Sequence, residues 1–261
     1  MKIEKKVTKW KAPAKNDVRV LGMPNIPHPL QGPGCQPRTI AGAKNWDFMR
    51  KKCYEDAGYK CEACGYEHQV PADLHAHELF DIDYEKGTST FIRLVCLCRR
   101  CHIYFIHSGR ALTMYKHGDP LYSKEKLLEG VEHGFKQIAE YNKTHKRKIY
   151  VFSAIAAYME EPGLKEPMEE LIKNYNIEFY KPVAGKKQAA WGDWKLLWNG
   201  KEYKTPYADS KEWESKMEEM NKKQHRFETK SRMSGGVFDE WDKLLKEEDE
   251  KERSSNRASE V

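Results

Sequence analysis

Apolar positions along this 261-residue chain recur at helical spacing in three places and alternate with polar ones in another. Trp46, Met49, Cys53 and Tyr54 share one helical face, which predicts a helix over residues 46–57. Asn45 precedes it as a cap, and Gly58 follows where left-handed backbone is favoured. Leu127, Leu128, Val131, Phe135, Ile138 and Tyr141 line a second helix over residues 124–143. Trp213, Met217 and Met220 line a charged third one over 210–227. Residues 74–80 and 88–97 read as strands joined at Glu85-Lys86-Gly87, a β-hairpin, and a short helix is expected from the following cysteines to about residue 107, broken by Gly109. Residues 177–180 predict a further strand, and the aromatic stretch 191–203, turning at Asn199-Gly200, a small β unit.

Residues 1–42 break the pattern. Pro13, Pro24, Pro27, Pro29, Pro33 and Pro37 each lack an amide donor, so this stretch is expected as an extended arm. Charge is uneven as well. The net charge is +6, yet residues 1–60 alone carry thirteen Lys/Arg against five Asp/Glu. A basic segment with Trp10 and Trp46 among its charges suits contact with a polyanion, or simply a solvated face. No apolar run approaches the roughly 20 residues needed to cross a bilayer, and the basic N-terminus has no apolar stretch behind it. A cytoplasmic protein without membrane contact is expected.

Cysteine spacing supplies the first chemistry. Five of the seven cysteines fall between residues 61 and 101, and Cys61/Cys64 and Cys98/Cys101 form two C-x-x-C pairs. An odd count so clustered is wrong for a disulfide scaffold and right for metal binding in a reducing compartment. Two such turns supply four soft donors and close a tetrahedral Zn²⁺ site with no open position, a structural zinc. Cys96, five residues before Cys101, reads as a small core residue.

Between the pairs lies Leu74-His75-Ala76-His77-Glu78, and His102 follows Cys101 directly. A C-x-x-C pair, a His-bearing strand, a returning strand and L-C-x-x-C-H opening a helix together resemble the HNH (ββα-metal) endonuclease family, particularly phage and bacterial members. Gly34-Cys35-Gln36-Pro37-Arg38-Thr39-Ile40 and the lead into Cys61 resemble the same proteins, so the likeness spans roughly residues 34–110. It implies an α+β fold with a zinc-stapled ββα-metal core, placed at 43–145; the extended basic arm read from the prolines, 1–42, precedes it. An α/β extension follows, comprising an accessory unit at 150–230 and an acidic helix and tail at 231–261.

The resemblance implies a metal-dependent nuclease with His77 as general base and His102 holding a catalytic Mg²⁺ or Mn²⁺. A His base suits water activation near neutral pH, and a divalent cation suits the charge of phosphodiester hydrolysis. Two positions depart from the family pattern. Ala76 stands where a metal ligand is usual, and Arg93 stands where an Asn is usual. Arg93 is therefore expected to bind the scissile phosphate through its planar fork. The missing ligand is sought at His75, which shares a strand face with His77, or at Glu78, with Asp81 and His107 as further choices.

Double-stranded DNA is the expected partner. Arg99 and Arg100, inside the second cysteine pair at a helix start, with Arg110 beyond and Arg38 before, are the expected phosphate contacts. Trp191, Trp194, Trp198, Tyr203 and Tyr207, with Lys186, Lys187, Lys195, Lys201 and Lys204, suit either base stacking or the core of the β unit. The C-terminal helices are a candidate docking element for a protein partner. A catalytically inactive HNH-like module that binds nucleic acid or protein is the alternative reading, motivated by Ala76 and Arg93.

Overall fold

The anticipated hairpin forms and organises the molecule, as seen in a computed structural model that describes residues 3–32, 34–67, 73–119, 121–146, 148–182 and 189–220. Strand β3 (Leu74–Asp83) pairs antiparallel with β4 (Thr88–Cys98), so that Leu74 lies opposite Cys98 and His77 opposite Val95. Side chains alternate across the pleat, so the two faces face different partners. Leu74, Leu94 and Cys96 pack with Trp46, Cys53 and Tyr54. These last three belong to helix α1 (Pro37–Asp56). Leu79, Val95 and Leu97 pack into the main core, with Phe105, Leu127, Val131 and Phe135.

Helix α1 starts nine residues earlier than the apolar pattern indicates. Its first turn opens at Pro37 and continues through a kink at Gly42, whose φ of 73° breaks the regular winding. Asn45 is no cap: its side-chain amide donates to the Ala41 carbonyl. The helix stops at Ala57, and Gly58 and Tyr59 then take left-handed backbone. Trp46, read as a possible polyanion contact, is buried against β3 and β4.

The arm is woven into the fold rather than laid over it. Strand β1 (Ile3–Val7) runs parallel to β6 (Phe179–Pro182), which also pairs with β5 (Val151–Phe152). Strand β2 (Lys9–Trp10) pairs with the far end of β3. Trp10 stacks on Tyr180 with centroids 6.0 Å apart, tying the two sheets together. Val20, Leu21 and Leu30, in short 3-10 turns, are fully covered.

The accessory unit expected over residues 150–230 pairs and packs, in its described residues, with the rest of the chain. Strands β7 (Lys195–Trp198) and β8 (Lys201–Lys204) form the hairpin expected at Asn199-Gly200. β7 pairs parallel with β4, giving one five-stranded sheet in the order β2-β3-β4-β7-β8. Trp194 is buried against Tyr84, and Trp198 packs on Phe91, so these aromatics serve as core. Helix α4 (Lys165–Asn174) contributes Met168 to the main core. Residues 210–220 are helical, with Trp213 stacked on His28. Lys186, Lys187, the end of that helix, and the acidic helix and tail from 231 lie outside the described residues.

After β4 the chain does not enter the expected ordinary helix. Arg100–Ile106 winds as a π-helical segment, and α2 (Ser108–Lys116) follows at once with Gly109 inside it, so Gly109 breaks nothing. Helix α3 (Lys124–Thr144), capped by the Ser123 hydroxyl, lies across the π segment with Leu127, Val131, Phe135 and Ile138 inward. Gly130 and Gly134 make that crossing close: a methyl on Gly134 would overlap the Phe105 ring, and one on Gly130 the base of Tyr104. Gly134→Ala should therefore destabilise the fold by about 1–3 kcal/mol through overpacking, although alanine is the better helix former. Thermal unfolding of the variant would check the sign. Among the described residues, no helix is long and apolar enough to cross a membrane.

Candidate metal centres

The hairpin brings the two C-x-x-C pairs together beneath its open end. Cys61 and Cys64 lie in the turn after α1, and Cys98 and Cys101 span the passage from β4 into the π segment. All four sulfur atoms lie within 4.8 Å of one another, and none is in a disulfide. Cys64 Sγ and Cys98 Sγ are 3.8 Å apart. A tetrahedron of sulfurs about 2.3 Å from a central Zn²⁺ has edges of about 3.8 Å, so the cluster has the dimensions of a zinc site. With no cation among them, the four sulfurs share protons unequally. S–H donation from Cys101, Cys64 and Cys98 holds the Cys61 thiol far below its usual range, and Cys101 is pushed up in return. Four thiolates cannot coexist at this spacing without a cation among them. Cys96 is buried in a different cluster with its thiol raised by burial, in keeping with a core role.

A second group forms on the β3 face that turns toward the π segment. His77 Nδ1 lies 3.1 Å from His102 Nε2. The His107 ring lies 4.9 Å from that of His77 and 4.6 Å from that of His102, and one ligand atom from each of the three falls within 4.8 Å of the others. His75 stacks on His102 with centroids 4.8 Å apart. Burial, reinforced by His107, depresses His77 well below 6.5; burial with the neighbouring rings and Arg110 does the same to His102, and burial with Arg110 and His75 takes His107 to about 4. All three imidazoles are therefore neutral at pH 7, as ligands or proton acceptors must be. His102 Nδ1 is buried without a hydrogen-bond partner among the described residues.

His107 is the member that sequence spacing undervalues. Five residues apart on a regular α-helix, two side chains point about 140° apart. The wider winding of the π segment, closed by a bond from the His107 amide to the His102 carbonyl, turns both rings to one side. Single π turns are frequent at functional sites. Glu78, weighed equally with His75 as a ligand, does not join the group. It lies on the opposite strand face, half-buried with its carboxyl raised by burial, and Arg38 is the nearby charge acting on it. Asp81 is also elsewhere, accepting from Lys11 Nζ and the Ala12 amide.

No family model, curated protein or solved structure matches this chain. Its residues alone must carry the reading.

Arg93 proves to be a brace. Its guanidinium donates to Glu62 Oε1 at 2.8 Å, to the Leu94 carbonyl at 2.9 Å and to the Ala14 carbonyl at 3.1 Å. Glu62 sits between the first two cysteines with its side chain 3% exposed, and also accepts from the Cys96 and Asn16 amides. The pair thus pins the first cysteine turn and the N-terminal segment to β4. Nothing in the sequence pattern flags Glu62, because a charged residue inside C-x-x-C usually faces solvent. Arg93→Ala should cost about 3 kcal/mol by leaving a buried carboxylate short of its counter-charge, a loss readable in denaturant unfolding.

Arg38, Arg99, Arg100 and Arg110, the other arginines expected at phosphate, are exposed and spread over several surfaces. Arg110, in the first turn of α2, is the one whose charge acts on both His102 and His107. Arg99 and Arg110 both act on Tyr122. Arg100 pairs with Glu129 at 3.0 Å, and Arg38 stands on the far face beside Glu78.

Proposed function

We propose that this chain is a metal-dependent endonuclease of the HNH type, hydrolysing phosphodiester bonds in DNA. The observation that carries the reading is the meeting of His77, on the first hairpin strand, with His102, directly behind the last cysteine, at 3.1 Å. A zinc-sized cysteine cluster holds the hairpin and the following helical segment in that relation. In this reading β3, β4 and the π segment with α2 are the ββα-metal core.

The imidazoles supply two things. A neutral ring takes a proton from the attacking water as its oxygen bonds to phosphorus, while the bond to the leaving oxygen breaks and that oxygen is protonated. Rings depressed below 6.5 are weak bases when isolated, but an anionic phosphate beside them favours the protonated form and raises them toward the working range. The strand histidines, His75 and His77, are the candidates for this task. The helical pair, His102 and His107, are the candidates to hold a divalent cation, which offsets charge on the phosphate when bound. Arg110, whose charge acts on His102 and His107, and Arg99, which acts with it on Tyr122, supply the attraction for a polyanion. Supercoiled plasmid, incubated with a panel of divalent ions, should be nicked or linearised.

A second reading has an observation of its own. Ala76 supplies no ligand, and Arg93, the only polar group at the other departing position, is committed to Glu62. An HNH-like module that binds nucleic acid or a protein without cutting would look the same. Retained, salt-sensitive DNA binding with no cleavage under any ion would select it.

A further inference from the structure

We infer that His77, His102 and His107 form a three-imidazole site for a nitrogen-preferring divalent transition ion of the zinc, cobalt or nickel type, and not for Mg²⁺. The inference deepens the proposed function and rests on its assignment of this cluster as the reactive site. Donor chemistry carries it. Mg²⁺ takes oxygen ligands, characteristically one or two carboxylates with waters. Among the described residues no carboxylate joins this group. Glu78 is on the other strand face, and Asp81 is held by Lys11 and Ala12. Imidazole donors suit zinc, copper, iron and nickel, whereas magnesium and manganese prefer oxygen.

Geometry agrees. Ligand nitrogens about 2.0–2.1 Å from a tetrahedral ion stand about 3.3 Å apart. The 3.1 Å between His77 and His102 is close to that spacing, and His107 offers a nitrogen within 4.8 Å of both. Three protein donors with a fourth position open is the arrangement of catalytic rather than structural zinc sites. His102 Nδ1 is buried with no hydrogen-bond partner among the described residues, so this ring is engaged only through Nε2, which faces His77.

The roles within the cluster shift accordingly. His77 joins the ligands, and His75, which stacks on His102 but lies outside the triad, becomes the imidazole that takes the water's proton. The expectation of Mg²⁺ or Mn²⁺ gives way to a softer ion.

The test is Co²⁺ titration of the full chain stripped of metal, followed by absorption spectroscopy. Two equivalents should bind: one with intense near-ultraviolet thiolate-to-cobalt bands, and one adding only weaker visible bands. His107→Gln and His77→Gln should lose the second equivalent and keep the thiolate bands, which also report that the fold survives. His75→Gln should keep both. A thousandfold excess of Mg²⁺ should leave the second equivalent in place. Binding of a single equivalent, retention of the second by His107→Gln, or its displacement by Mg²⁺ would each overturn the inference. Two bound equivalents without any DNA cleavage would instead leave this inference standing and remove the nuclease reading.

Discussion

Exchange of Cys101 for serine, or treatment of the protein with a strong chelator, is expected to abolish cooperative unfolding. The four sulfurs lie within 4.8 Å of one another, and three of the cysteines are counted in the main core. Structural zinc sites of this kind contribute on the order of 10–16 kcal/mol in small zinc-binding peptides, as much as the whole stability of a typical domain, about 5–15 kcal/mol. Without the cation the sulfurs would have to keep their protons at van der Waals distance inside the core, and the two ends of the hairpin would lose their common anchor. Circular dichroism during heating, with zinc content measured on the same sample, checks this. Cys96→Ser is the control. Its sulfur is equally buried but belongs to the α1-facing cluster, so zinc content should not change. A chelated protein that unfolds at the wild-type temperature would remove the structural-zinc assignment.

His102→Ala is expected to lower DNA cleavage by about 10²–10⁴-fold, the usual contribution of a positioned acid–base or ligand imidazole. The ring is the hub of the cluster. It is 3.1 Å from His77 through one nitrogen, stacked on His75, and edge-on to His107. Removing it affects both the proposed cation site and the packing of the strand histidines. Because a buried ring leaves a cavity, zinc content and melting temperature must be read beside activity. A variant that keeps its cysteine zinc but loses cleavage supports the proposal. A variant that cleaves like wild type would place the chemistry elsewhere, and a wild type that never cleaves would favour the binding-module reading.

Arg93 and Glu78 mark where the sequence was least informative. The place of each in a linear pattern predicts a role at the proposed reactive site. Arg93 instead spans Glu62, Leu94 and Ala14, and Glu78 faces the helix side of the hairpin with Arg38. A pattern records order along a strand, but a partner such as Ala14, 79 positions away, is invisible to it. The arm misled for a related reason. The described residues 3–32 hold no long helix, but Pro37 opens α1, at a first turn where its missing amide is not needed, and proline content does not reveal that β1 and β2 find edges on two different sheets. Likewise the aromatic stretch 191–203 spelled out its own hairpin but not the pairing of β7 with β4.

What the sequence alone determined is local in origin. The β3–β4 hairpin, the α3 face and the two cysteine turns follow from periodicity, turn residues and the short reach of C-x-x-C, each acting over a few residues. Only the tertiary structure decided which donors converge. His107 enters the second site because the chain after Cys101 winds as a π turn, packed under α3 against Gly130 and Gly134, and not as the α-helix its composition predicts. That choice is made by packing over the whole core, and it turns a histidine that regular geometry would point away into the third member of the cluster.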